Sequence, residues 1–333
     1  MSNSILHMGA AIIAFGITAL LGKWLIPFLH KLHFGQTIRE IGPSWHKGKQ
    51  GTPTMGGLMF IFGIVATMCA AVPILYKTGA SETLLMQVKL FAGAGMAVAF
   101  GAIGFMDDYI GVVKKRNLGL TERQKLILQF AVAAAYLGSL ALAGGNTATT
   151  IPFVGRIDLG FWYYILAAVL IVGLVNAVNF TDGVDGLNST VTFFVFLALG
   201  LCAGLQSMTG LSLLGTVSAA ACIGFLVWNF HPAKVFMGDT GSLFLGGMVA
   251  ALAFGIDMPI LLLPLGVVYW MEILSVVLQV TYFKATHGKR LFKMSPIHHH
   301  FEMCGWSEVK ICAVFGLITL LGGVLSVLCV LFG

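Results

Sequence analysis

GLNSTVTFFVFLALGLCAGLQSMTGLSLLGTVSAAACIGFLVWNFHPA, residues 186–233, runs for 48 positions without a lysine, arginine, aspartate or glutamate. A helix needs about 20 apolar residues to cross a bilayer core. The stretch therefore holds two crossings, and QSMTG at 206–210 is where the chain turns between them. Lipid cannot satisfy free backbone groups, so the crossings are read as helices.

The same reading extends outward. Ser2–Gly22, Gly48–Tyr76, Leu90–Met106, Leu126–Thr149 and Leu159–Thr181 each carry one crossing on the N-terminal side. Thr240–Ile256, Met258–Phe283 (interrupted by Glu272) and Ile311–Gly333 supply three more. The expected fold is all-α, a polytopic membrane protein with about ten transmembrane helices in one domain spanning 1–333. Composition agrees: 58% of the 333 residues are hydrophobic and 10% charged, against roughly 25% charged in soluble domains. Mean hydropathy is +0.94.

Basic residues orient the bundle. The connections after the odd-numbered spans hold 15 of the 19 lysines and arginines. That side is cytoplasmic by the positive-inside rule, which places both termini outside. The net charge of +6 then reports topology and anionic lipid, with no nucleic acid as partner. The first span lacks a basic leader and a small-residue cleavage site, so it is expected to be retained. Six cysteines form no CxxC pair and read as small buried hydrophobes. The connection 144–160 alternates enough to form a short hairpin.

Polar motifs collect on the cytoplasmic side. GFMDDYIG (104–111) carries Asp107 and Asp108, NFTDGVDG (179–186) carries Asp182 and Asp185, and VFMGDTGS (235–242) carries Asp239. SPIHHHFE (295–302) carries three histidines. Each could be a solvated helix boundary or a simple turn. The helix dipole disfavours an aspartate at a C-terminal end such as that expected at Asp107, and a cation or bound metal would compensate. Gly183 and Gly186 permit close backbone approach to a ligand, and Asn176 and Asn179 add amide donors beside them. Carboxylates beside exposed amides suit a Mg²⁺–diphosphate site, because Mg²⁺ takes one or two carboxylates plus phosphate oxygens. Lys47, Lys49 and the run VVKKRN (112–117) fit an anionic substrate. Glu272 lies inside a span, where structural pairing and function are equally open.

GTPTMGG (51–57), MDDY (106–109), NAVNFTDGVDGL (176–187), VFMGDTGS and SPIHHHFE together resemble the phospho-N-acetylmuramoyl-pentapeptide transferase family. This family is a branch of the polyprenyl-phosphate N-acetylhexosamine-1-phosphate transferases. The resemblance implies ten helices, a cytoplasmic cleft in the bacterial plasma membrane, and a homodimer. It implies transfer of phospho-N-acetylmuramoyl-pentapeptide from its UDP carrier to undecaprenyl phosphate, with Mg²⁺ and release of UMP. It makes Asp239 the metal ligand, with Asp107 and Asp108 essential and Asp107 the base on the lipid phosphate; Asp107 is also a candidate second metal ligand. It also implies that Lys49, Thr54, Asn179, Asp182, Gly183, Asp185, Asn229 and Phe236 line the nucleoside and diphosphate pocket. His298 and His299 line the cleft, with His298 expected at the diphosphate and His300 more structural. Gly111 stands where the family often has a lysine, and Lys115 matches its second basic position.

A phosphate monoester has a second pKa of about 6, so the lipid phosphate is largely dianionic at neutral pH. Asp107 is therefore expected to position metal or substrate at least as much as it removes a proton. A relative using another UDP-N-acetylhexosamine is the alternative within the class. A transporter is disfavoured, because no ladder of carboxylates reaches the outer side. Neighbouring histidines diverge, which argues against a closed zinc site.

Overall fold

The computed structural model describes residues 3–32, 49, 51–77, 83–113 and 119–333. Its helices are α1 (Asn3–Lys31), α2 (Gly57–Lys77), α3 (Leu84–Val113), α4 (Glu122–Leu142), α5 (Trp162–Phe180) and α6 (Leu187–Leu205). They continue as α7 (Thr209–Asn229), α8 (Gly238–Gly255), α9 (Leu262–Leu265), α10 (Val267–Ala285), α11 (Ile297–Glu302) and α12 (Glu308–Phe332). Strands β1 (Ala148–Ile151) and β2 (Gly155–Asp158) pair antiparallel, with Ala148 opposite Asp158, which bears out the expected hairpin.

Among the described residues, nine helices are long and apolar enough to cross a membrane. The tenth expected crossing is α8, and its composition has a packing reason. Seventeen of its 18 residues are buried, so it faces protein rather than lipid. It can therefore carry glycines, Thr240 and Ser242 without exposing them to hydrocarbon. The outer helices differ: Ile12 and Trp24 on α1 and Leu321 and Leu325 on α12 are each more than half exposed. Such a surface is anomalous on a water-soluble protein and expected against lipid.

The turn expected at QSMTG separates α6 from α7, with Ser207 at φ 60°. The crossing expected over Met258–Phe283 is broken. A 3-10 turn at Pro259–Leu261 and the short α9 precede Gly266, after which α10 starts. The Leu262 carbonyl accepts from both the Gly266 amide at 2.9 Å and the Trp270 indole at 2.7 Å, which ties α10 to the break. Helix α4 begins with a capping box, in which Thr121 and Gln124 satisfy each other's backbone amides. Of the cysteines, Cys202, Cys222 and Cys312 are buried as expected, whereas Cys69 and Cys304 are exposed.

Helices α3 and α8 approach closely where the polar motifs lie. A side chain at Gly104 would collide with the carbonyl oxygen of Asp239. One turn beyond Gly104, α3 delivers Asp107 and Asp108 to the start of α8. Helix α3 itself continues to Val113, so the pair does not end the helix as expected from the sequence. The terminal dipole is therefore not what acts on Asp107.

Candidate active site

Asp108 closes the N-terminus of α8. Its Oδ2 accepts from the Thr240 backbone amide at 2.9 Å and from the Thr240 hydroxyl at 2.6 Å, and its Oδ1 accepts from the Asp239 amide at 3.2 Å. The first amides of a helix lack partners and carry partial positive charge. A carboxylate from α3 satisfies them here and ties the two helices together. Gly238 precedes these amides at φ 70°, and a side chain on it would collide with Asp108 Oδ2.

Asp107 and Asp239 share one cation. Lys125 Nζ lies 2.8 Å from Asp107 Oδ2 and 2.7 Å from Asp239 Oδ2. The remaining oxygens are also held. Asp107 Oδ1 accepts from the Leu120 amide at 2.7 Å, and Asp239 Oδ1 accepts from Asn179 Nδ2 at 2.9 Å. Asn179 Nδ2 also reaches the Ser242 hydroxyl at 2.7 Å. Lys125 was counted in the sequence as one basic residue among many. Its place in the first turn of α4, on the face where the carboxylates gather, is the signal that marks it.

A second cluster forms around Lys49. Its ammonium lies 2.7 Å from Asp185 Oδ1 and 2.7 Å from Glu308 Oε2. Burial works to lower the Lys49 pKa, but the hydrogen bonds and charges of Asp185 and Glu308 outweigh it and raise the pKa. Asp185 Oδ2 accepts from the Ala233 amide at 2.9 Å and stands 3.2 Å from His231 Nδ1. Glu308 Oε2 also accepts from the Asp185 amide at 2.9 Å. Asp185, His231 and Glu308 bring three ligand-capable atoms within 4.8 Å of one another. The Lys49 ammonium already supplies the positive charge there. Glu308 and His231 were not singled out in the sequence. Glu308 is 123 residues from Asp185, so only folding shows the pairing.

Asp182 lies between the clusters. Among the described residues no group donates a hydrogen bond to its carboxylate. Burial first, and then the charges of Asp239, Asp108 and Asp185, hold its carboxyl well above the ordinary range despite Lys49. The next residue, Gly183, has His298 Nε2 where a side chain would go. The His298 ring is fully buried, with Nδ1 3.0 Å from Glu272 Oε2. His299 Nδ1 pairs with Glu302 at 2.6 Å. His300 Nδ1 accepts from the Lys293 amide at 3.2 Å.

The other expected site residues divide. Thr54 is buried beside Gly238 and Asp108, and its hydroxyl has no partner among the described residues. Phe236 is half-buried; its backbone pairs with Pro53 and Gly56 at 2.8 Å each, zipping the Thr54 segment onto the chain leading into α8. Asn229 is buried and donates to the Val235 carbonyl at 3.0 Å, so it shapes this loop from behind. Asn176 pairs with Gln129 at 2.7 Å and the Val172 carbonyl at 2.8 Å, on the α4 side and away from the carboxylates. Lys115, with Lys47, Lys114 and Arg116, lies outside the described residues.

Carboxylates, half-buried lysines and histidines gathered at the helix ends of a multi-pass bundle suit a membrane-embedded transferase acting on anionic groups. The model of glycosyl transferase family 4 matches residues 90–257. The phospho-N-acetylmuramoyl-pentapeptide-transferase signature 1 matches residues 49–61, which include Lys49 and Thr54. Proteins of that name from Clostridium perfringens (strain SM101 / Type A), Listeria monocytogenes serotype 4b (strain CLIP80459) and Bacillus pumilus (strain SAFR-032) are similar throughout. Their identities are 45%, 44% and 46%, over 93%, 96% and 95% of this chain and 92%, 97% and 95% of theirs. The chain belongs to the phospho-N-acetylmuramoyl-pentapeptide-transferase family.

Proposed function

We propose that this protein transfers phospho-N-acetylmuramoyl-pentapeptide from its UDP carrier to undecaprenyl phosphate, releasing UMP. The observation that carries this reading is identity of about 45% over nearly the whole chain to relatives bearing that name. The signature segment also lies directly against the carboxylate cluster: Gly57 donates to the Met237 carbonyl at 3.1 Å. The protein sits in the bacterial plasma membrane as a homodimer with this site facing the cytoplasm. The bias of 15 of 19 basic residues to one side supports that orientation.

Two anions must meet in this reaction, and their repulsion is the difficulty. The residues fit a divalent cation. Among the described residues, Asp107, Asp108, Asp182 and Asp239 converge with Lys125 as the one ammonium paired among them, and no group donates to Asp182. Asp239 and Asp107 would hold Mg²⁺, which would supply charge to offset the diphosphate and the leaving UMP. Lys125 keeps the two carboxylates together and neutralises part of their charge. Lys49, fixed by Asp185 and Glu308, orients the nucleotide end. Thr54 offers its unpaired hydroxyl beside the cluster. Asp107, hydrogen-bonded to Leu120 and paired with Lys125, acts in positioning rather than as the obligatory base. Phosphoryl transfer depends mostly on positioning and electrostatics. UMP release, measured with undecaprenyl phosphate and each UDP-sugar in turn, tests the reading. Turnover with UDP-N-acetylglucosamine but not with the muramoyl-pentapeptide donor would overturn it.

A further inference from the structure

Glu272 in α10 and His298 in α11 are both fully buried. Glu272 Oε2 lies 3.0 Å from His298 Nδ1 and 3.4 Å from the His298 backbone nitrogen. Among the described residues, no other side chain reaches this carboxylate. A backbone amide can only donate, so Glu272 Oε2 is the acceptor toward the His298 backbone. A ring hydrogen on Nδ1 makes the second contact run in the same sense. The hydrogen bond made by one ring nitrogen sets the role of the other. Nε2 is left, buried and without a hydrogen-bond partner among the described residues. It faces Gly183, in the turn that carries Asp182 toward one cluster and Asp185 toward the other. Buried polar atoms in native proteins are normally paired, so an unpaired one calls for an explanation.

We propose that Glu272 is a positioning residue for the transfer reaction. It holds His298 with hydrogen on Nδ1 and keeps Nε2 turned to the Asp182–Gly183 turn as the ring atom that meets the polar substrate. None of the motifs that identify the family contains Glu272, which stands alone in an apolar helix. A carboxylate at that depth is retained at a cost, and among the described residues its one side-chain partner is the buried His298. This inference rests on the reaction proposed above.

The test is a double-mutant cycle in detergent-solubilised full-length protein, with UMP release as readout. E272Q keeps size and shape and is expected to lower kcat by about tenfold to a hundredfold. The KM for the UDP-linked donor stays within about threefold, because the lost interaction belongs to the reacting state. In an H298Q background, the same Glu272→Gln change alters kcat by less than about twofold, because it acts through the ring. Equal effects in both backgrounds would overturn the inference. E272D, whose carboxylate is one methylene short, is expected to recover part of the E272Q loss; no recovery would count against positioning.

A second measurement needs neither turnover nor a stable variant. In wild-type protein labelled with ¹⁵N-histidine in bilayers, the resonance assigned to His298 is expected to report a hydrogen on Nδ1. A bare Nδ1 would overturn the proposal. Wild-type protein that released no UMP would instead sink the reaction, and the nitrogen spectrum would still decide the arrangement.

Discussion

Two clusters share the polar end of this bundle and are built differently. Around Lys125, Asp107, Asp108 and Asp239 gather with one ammonium, and Asp182 adds a fourth carboxylate nearby. Around Lys49, Asp185 and Glu308 meet one ammonium, with His231 at 3.2 Å from Asp185. Among the described residues, the first has negative charge in excess, and it rests on the N-terminus of α8. The second is nearer to balance and is tied into three backbone segments through Ala233, the Asp185 amide and the start of α12. Excess charge suits a cation and the diphosphate it accompanies. A balanced, cross-linked cluster suits orientation of a neutral group such as a nucleobase.

The largest expected effect breaks the first cluster. Asp239→Ala removes a carboxylate proposed to hold the metal and leaves Lys125 with Asp107 alone, and turnover should fall by about 10³-fold, several kcal/mol of barrier. A chelator should likewise abolish UMP release, and added Mg²⁺ should restore it. Asp239→Ala retaining turnover within tenfold of wild type would remove the basis for the contrast.

Lys125→Gln should cost about a hundredfold in kcat, because it leaves two half-buried carboxylates unpaired. It should also lower the Mg²⁺ concentration needed for half-maximal activity, because the ammonium no longer competes for Asp107 and Asp239. A raised Mg²⁺ requirement would show that Lys125 assists the metal instead.

Changes in the second cluster should appear in binding. Asp185→Asn frees one side of Lys49 and should raise the donor KM about tenfold, with kcat within about threefold. A loss confined to kcat would show that both clusters serve the same step.

The smallest effect is on stability and depends on pH. The Asp182 carboxyl is raised in the folded state, chiefly by burial. The folded chain then binds more protons than the unfolded chain above the ordinary aspartate pKa of about 3.9. Stability falls as pH rises from there to the raised folded value. Asp182→Asn cannot ionise, so its melting temperature should lack that slope and exceed wild type at neutral pH. Parallel melting curves for the two proteins across pH 4–8 would show that folding does not raise the Asp182 carboxyl.

Much of the architecture was legible in the sequence because a bilayer imposes a simple length rule. The uncharged run 186–233 predicted two helices and a turn, and α6, α7 and the bend at Ser207 follow it. The interruption at Gly266 was hidden, because hydropathy averages over it. The end of α3 was also misplaced: Asp107 and Asp108 interrupt the apolar run, but helical hydrogen bonding continues to Val113. In the candidate site, the acidic motifs were visible as charges where charge is rare. Lys125, Glu308 and His231 were not, because they sit in ordinary boundary segments and take their roles from partners far along the chain.

The sequence by itself determined the all-α membrane fold, the gathering of polar motifs on one side, and the family. Each follows from local composition or contiguous residues. Only the tertiary structure decided that Asp108 closes α8 while Asp107 and Asp239 divide one lysine. The same holds for the pairing of Glu272 with His298 against Gly183. These are pairings between helices, set by the close approach of α3 to α8 and of α11 to the Asp182 turn. No periodicity within one helix reports which charge another helix will bring to it.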